Sequence, residues 1–184
     1  MNFNKHSELA NQHAFLSPSG YHWINYSDEK LYDVYRKHMA VQKGTQLHEL
    51  AASLIQLGVK LPKSKKTLNM YVNDAIGYRM IPEQPLYFSP NCFGTADSIS
   101  FKKNFLRIHD LKTGVTPASM HQLEIYAALF CLEYKKNPND ISMELRIYQS
   151  DQVLVHNPEP EQILYTINKI IESDKIIEMI KSEG

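Results

Sequence analysis

The feature that most restricts the fold is a change of hydrophobic period at Pro82. Before it, apolar residues recur at helical spacing, most clearly Leu47, Leu50, Leu54 and Leu57 in "GTQLHELAASLIQLG". After it come "PLYFSPNCF", "TADSISF" and "FLRIHDLK", short segments rich in aromatic and β-branched residues and separated by turn residues such as Lys103-Asn104. The spacing predicts helices over 27–42, 44–58 and 64–80, then an antiparallel meander. A helix in "ASMHQLEIYAALFCLEYKK", strands in "SMELRIYQS" and "QVLVHNP", and an amphipathic terminal helix from Glu159 complete the order ααα-βββ-α-ββ-α. The leader "LSPSGYHWINY" reads as a turn with aromatic anchors. The expectation is an α/β chain, an α+β sandwich with a central mixed sheet flanked by helices.

At 184 residues the chain fits one domain, with a helical part over 1–82 and a sheet-bearing part over 83–184. Cys92 and Cys131 are the only cysteines, too few for a thiolate zinc site or an iron-sulfur cluster, and are expected to be reduced, buried thiols. With neither a signal-peptide pattern nor a run of about 18 apolar residues, a soluble, cytoplasmic protein without membrane contact is expected. The formal net charge of zero hides an asymmetry. Residues 1–138 carry 16 Lys and Arg against 11 Asp and Glu, and residues 139–184 carry 4 against 9. Basic residues gather at "KLPKSKK", with Lys63, Lys65 and Lys66, and at "KKNFLR", with Lys102 and Lys103. Either cluster can supply phosphate contacts, and either can equally be a solvated loop.

Within the meander, strand alternation sets Leu106, Ile108, Asp110 and Lys112 on one face and Asp97, Ile99 and Phe101 on one face of the neighbouring strand. Charged groups therefore interrupt apolar faces. A hairpin turning at Lys103-Asn104 brings Asp97 and Asp110 to the same end of the pair, with Lys112 one pleat further on. Two carboxylates at one point repel unless a cation neutralises them, and a hard divalent ion such as Mg²⁺ needs such oxygens. A lysine beside them can orient a water or offset charge developing on a phosphoryl oxygen. Taken singly, Asp97 reads as a turn former, Asp110 and Lys112 as a surface salt bridge, and His48 as a satisfied core histidine.

In sequence order, "GTQLHEL" with His48, "GTAD" with Asp97, "IHDLKTG" with Asp110 and Lys112, and "HQLEIYA" with Gln122 and Tyr126 follow the series GTxxH, GxxD, D-x-K-T-G and QxxxY. Over about residues 44–130 the chain resembles the PD-(D/E)XK nuclease superfamily, in its RecB-like exonuclease branch. The leader is similar to the opening of small phage and prophage nucleases of that branch. The resemblance implies a restriction-endonuclease-like core and Mg²⁺ or Mn²⁺ held by His48, Asp97, Asp110 and the Leu111 carbonyl. It also implies Lys112 as the catalytic lysine, with Gln122 and Tyr126 positioning substrate or the lysine. Ala96-Asp97 stands where the superfamily name has Pro-Asp, within the branch's GxxD pattern. Glu49, turned about 100° from His48 on a helix, receives no role.

The function expected from the resemblance is metal-dependent hydrolysis of DNA, as an exonuclease in phage-type recombination or processing. The alternatives are a structure-specific endonuclease, including one acting on RNA, and a silent DNA-binding or partner-binding module. The four-cysteine cluster of CRISPR-associated relatives has no counterpart here. Nor does a phosphate loop of the type G-x-x-x-x-G-K-[ST], so work on duplex ends would proceed alone or beside a recombination or helicase partner.

Overall fold

A computed structural model describes residues 14–183. Two compact units are distinguished, Met1–Lys43 and Gly44–Gly184. The elements are α1 (Asp28–Leu57), α2 (Thr67–Gly77), β1 (Ile81–Ser89), β2 (Cys92–Lys102), β3 (Phe105–Leu111), α3 (His121–Glu133), β4 (Ser142–Gln149), β5 (Gln152–His156) and α4 (Pro160–Glu183). Among the described residues, no helix is long and apolar enough to cross a membrane.

In the first unit, "PSGYHWIN" forms 3-10 turns over Pro18–Asn25, opened by Ser17, whose hydroxyl accepts from the Gly20 N–H. Trp23 Nε1 donates back to the Ser17 carbonyl at 2.9 Å, which closes the turn. Phe15 packs edge-on to Tyr35, with ring centroids 4.9 Å apart. Of these aromatics, Trp23 belongs to the leader read as an anchored turn, whereas Phe15 and Tyr35 lie outside it.

The second unit is a five-stranded sheet in the order β1-β2-β3-β4-β5. Neighbours are antiparallel except β3 and β4, which are parallel and joined through α3, so the sheet is mixed as expected. Both central residues of the β2–β3 turn, Lys103 and Asn104, have positive φ (49° and 59°), the backbone that a two-residue hairpin demands. One core lies where α3 and α4 cover the sheet, built from Leu106, Ile108, Leu123, Ala127, Leu145 and Ile163. A second joins Ala51 and Ile55 of α1 to Tyr71, Val72 and Ala75 of α2, with Leu111 and Tyr148 from the sheet. Near this second core, Arg146 Nη1 and the Tyr148 hydroxyl both donate to Asp74 Oδ2, at 3.2 and 2.7 Å, tying α2 to β4.

Three expectations are corrected. "PLYFSPNCF" is not one strand: β1 ends at Ser89 and β2 starts at Cys92, with Pro90-Asn91 in the turn. The helices expected over 27–42 and 44–58 are one helix, α1. Gly44 costs only about 1 kcal/mol inside a helix, and it is buried where a Cβ would stand 2.8 Å from Thr113 Oγ1. A glycine that looks like a cap is thus a point of close approach. Finally, the buried stripe of α1 is Gly44, Ala51 and Ile55, whereas Leu50 and Leu57 are exposed. The leucine pattern marked the neighbouring face. Cys131 is buried and Cys92 only half-buried; both are free thiols.

Candidate functional site

β3 and β4 finish side by side, Leu111 opposite Tyr148, and the Lys112 N–H donates to the Tyr148 carbonyl at 2.9 Å. At this end the β2–β3 ladder stops at Ser98 and His109. Beyond it, the Leu111 N–H donates to Asp97 Oδ2 at 2.8 Å, a side-chain carboxylate standing where another strand would have offered a carbonyl. Asp97 is thereby fixed beside the Leu111 peptide. The Leu111 side chain is buried in the second core, so only its backbone belongs to the site.

Asp110 is 3% exposed. Its Oδ1 accepts from Lys112 Nζ at 3.1 Å, and Oδ2 lies 3.0 Å from the same nitrogen without receiving a directed hydrogen bond. Burial pushes the Asp110 carboxyl above the usual carboxylate range, the neighbouring Asp97 adds to the rise, and Lys112 opposes it. Lys112 Nζ also donates to Gln122 Oε1 at 2.7 Å, so α3 holds the ammonium from the other side. One turn on, Tyr126 lies against Gly94, where a Cβ would come within 3.0 Å of the ring. That contact leaves no room for a side chain at position 94.

His48 falls on the inward side of α1, in step with Gly44, Ala51 and Ile55, and its Nδ1 is 3.4 Å from Asp97 Oδ2. The contact with Asp97 raises the imidazole pKa against the lowering effect of burial. The structure thus brings together His48, Asp97, Asp110, the Leu111 backbone, Lys112 and Gln122, with Tyr126 one helical turn away.

Glu83 is the residue that sequence reasoning missed. A carboxylate oxygen of Glu83, one of Asp97 and a ring nitrogen of His48 all lie within 4.8 Å of one another. Desolvation raises the Glu83 pKa, with Asp97 adding to the rise. Lying between Pro82 and the segment "PLYFSPNCF", the residue belongs to no motif or element read from the sequence. Once the hairpin turn is set at Pro90-Asn91, counting back from Tyr87 opposite Phe93 puts Glu83 level with Asp97.

The basic loops part company. Lys102 and Lys103 are exposed at the opposite end of the β2–β3 hairpin, about 17 Å along the strand from Asp97 at roughly 3.4 Å per residue. The exposed Lys63, Lys65 and Lys66 precede Thr67, which is bonded to Asp151 in the β4–β5 turn, at the sheet end where the carboxylates lie. His109 is structural: fully buried beside Tyr148, it is pushed down to about 3 by burial, with Arg146 and Arg107 adding to the fall. His121 is exposed and contacts Glu124 at 2.9 Å, not the carboxylate cluster.

Two carboxylates and one imidazole, from Glu83, Asp97 and His48, form a donor set that fits a divalent cation; Asp110 is not one of the three and its two oxygens face the Lys112 ammonium. No family model, no curated protein and no solved structure matches the chain.

Proposed function

We propose that the chain is a divalent-metal-dependent DNA nuclease of the PD-(D/E)XK type, with a restriction-endonuclease-like core, acting as an exonuclease. The observation that carries this reading is the Lys112 ammonium, held 3.1 Å from Asp110 and 2.7 Å from Gln122 beside the Asp97 and His48 side chains. A salt bridge alone does not call for a second acid and an imidazole beside it. The Lys63–Lys66 loop at this end of the sheet supports a polyanionic substrate.

His48, Asp97, Asp110 and the Leu111 carbonyl would hold Mg²⁺ or Mn²⁺. Such an ion supplies the Lewis acid that lowers the pKa of a water and offsets phosphoryl charge. Lys112 contributes a fixed positive charge where the scissile phosphate gains negative charge as water adds to phosphorus. The bond from phosphorus to the bridging oxygen breaks, and that oxygen takes a proton. Gln122 fixes the lysine, and Tyr126, seated on Gly94, backs that part of α3. The setting proposed is the cytoplasm of a bacterial or phage-infected cell, alone or beside a recombination or helicase partner.

Incubation of linear and covalently closed duplex DNA with Mg²⁺, Mn²⁺ or EDTA tests the proposal. Loss of linear DNA only, dependent on metal, is expected. Cutting of closed circles would make it an endonuclease, and binding without cleavage would make it a silent module.

A further inference from the structure

We propose that Gln149, at the end of β4, is a positioning residue that shapes the loop between Lys112 and Gln122 and thereby holds the Lys112 ammonium for the reaction. Its part in catalysis rests on the nuclease reading above, whereas its hold on Lys112 stands apart from that reading.

Lys112 follows β3 and Gln122 lies in the first turn of α3, and the two side chains meet at 2.7 Å across the loop that separates them. A lysine gives up much rotamer freedom in such a contact, so the contact lasts only where both ends of the loop are fixed. The first end is fixed by the Lys112 N–H on the Tyr148 carbonyl, at 2.9 Å. The second end has weaker support of its own. α3 starts on Met120, whose thioether is a poor acceptor, and the Ser119 hydroxyl takes the His121 N–H at 3.3 Å.

Gln149 acts on the stretch between. Its Nε2 donates to the carbonyls of Gly114, at 2.6 Å, and Thr116, at 2.8 Å, and its Oε1 accepts from the Ala118 N–H at 3.2 Å. One amide thus spends both its donors and its acceptor on a single loop. The reverse orientation would set the amide oxygen against two carbonyls, so the geometry admits one assignment. Tyr148 and Gln149 are consecutive, and together they engage the loop from Lys112 to Ala118. On the α1 side, Thr113 lies against Gly44, where a Cβ would stand 2.8 Å from its Oγ1.

Packing does not do this instead. Val115, between the two bonded carbonyls, is 91% exposed, so apolar contact does not set the middle of the loop. Without the Gln149 amide, the loop and the first turn of α3 can shift, and the Lys112 ammonium keeps Asp110 but loses its fixed distance to Gln122. A misplacement of about 1 Å is enough to cost about 10²-fold in rate.

The test is the side-chain ammonium of Lys112, followed by heteronuclear NMR of the isotope-labelled, metal-free chain and identified by its absence from Lys112→Ala. In wild type it is expected to be rigid and to exchange slowly with water. In Gln149→Ala and Gln149→Glu it should move and exchange as exposed lysines do; the glutamate keeps the size and the acceptor for Ala118 but loses both donors. A thermal melt checks that each variant is folded. A rigid ammonium in both variants, or a wild-type ammonium as mobile as a surface lysine, overturns the proposal. The same preparations are assayed on linear DNA with Mn²⁺. Where wild type cleaves, the maximal rate should fall about 10–10²-fold in both variants with the half-saturating DNA concentration unchanged. An undiminished maximal rate in the variants overturns the proposal too. No cleavage by wild type, with the ammonium loosened in the variants, removes the nuclease reading and leaves the hold of Gln149 on Lys112. Cleavage by wild type, with the ammonium rigid throughout, does the reverse.

Discussion

Asp110 is 3% exposed at the end of β3, with one oxygen on Lys112 and the other lacking a directed donor. Its carboxyl is raised chiefly by burial and then by Asp97, that of Glu83 is raised in the same order, and the His48 imidazole is raised chiefly by Asp97. In all three the folded chain holds the proton more tightly than the unfolded chain. The two carboxyl groups therefore favour folding increasingly as pH falls through their raised values, and the His48 contribution is complete below about 6.5 and fades as pH rises through its folded value. In EDTA these three groups should thus favour folding increasingly as pH falls, whereas the buried His109, held at about 3, opposes them below about 6.5. The pH dependence of the difference between wild type and Asp110→Asn therefore isolates the Asp110 part. Asp110→Asn should be the more stable chain at pH 8, by about 1–3 kcal/mol, because it removes a buried, poorly satisfied charge. Mn²⁺ at a hundred times its Kd should stabilise the wild type by about 2.7 kcal/mol per site and Asp110→Asn by less in total. Thermal melts across pH, with and without metal, check both statements. A stability difference between wild type and Asp110→Asn that does not change with pH in EDTA would contradict them.

At the scale of elements, α2 begins without a side-chain cap of its own, since Lys66 offers none. Asp151 supplies it from the β4–β5 turn, its Oδ1 accepting from the Thr67 N–H at 2.8 Å and from Thr67 Oγ1 at 3.0 Å. Asp151→Ala should cost about 1 kcal/mol, the usual value of a lost cap, and should speed amide exchange in the first turn of α2. Asp151→Asn should recover most of the loss, because Asn keeps the acceptor and tolerates the φ of 60° found there.

The types of the elements, and their order apart from the division of α1 into two helices, were legible in the sequence because the periods of 3.6 and 2 change cleanly at Pro82. Lys103-Asn104 fixed the hairpin register that aligns Asp97 with Asp110. Two things were hidden. Four leucines outweighed the glycine and alanine of α1, although small residues are what permit the close contact of that helix at Thr113. And Glu83 fell outside the first strand because that strand was read as starting at Pro85, whereas β1 begins at Ile81.

Over the whole molecule, the neutral total conceals basic residues at both ends of the β2–β3 hairpin, and only the Lys63–Lys66 loop shares the sheet end with the carboxylates. If DNA follows that end, replacing Lys63, Lys65 and Lys66 by Ala should weaken binding without regard to sequence. It should also reduce the slope of log K against log salt by about 2–3, near 0.9 for each lost phosphate contact. Replacing Lys102 and Lys103 should change the slope by less than about 1. Binding by fluorescence anisotropy between 50 and 200 mM salt, about the range over which such contacts are read, separates the two loops. The most direct test of the account is the single-turnover rate on end-labelled linear duplex in Mn²⁺, for wild type and for Lys112→Ala. The account predicts cleavage by wild type that EDTA abolishes, and a rate in Lys112→Ala lower by about 10²–10³-fold. No cleavage by wild type in any metal, or an undiminished rate in Lys112→Ala, would contradict it.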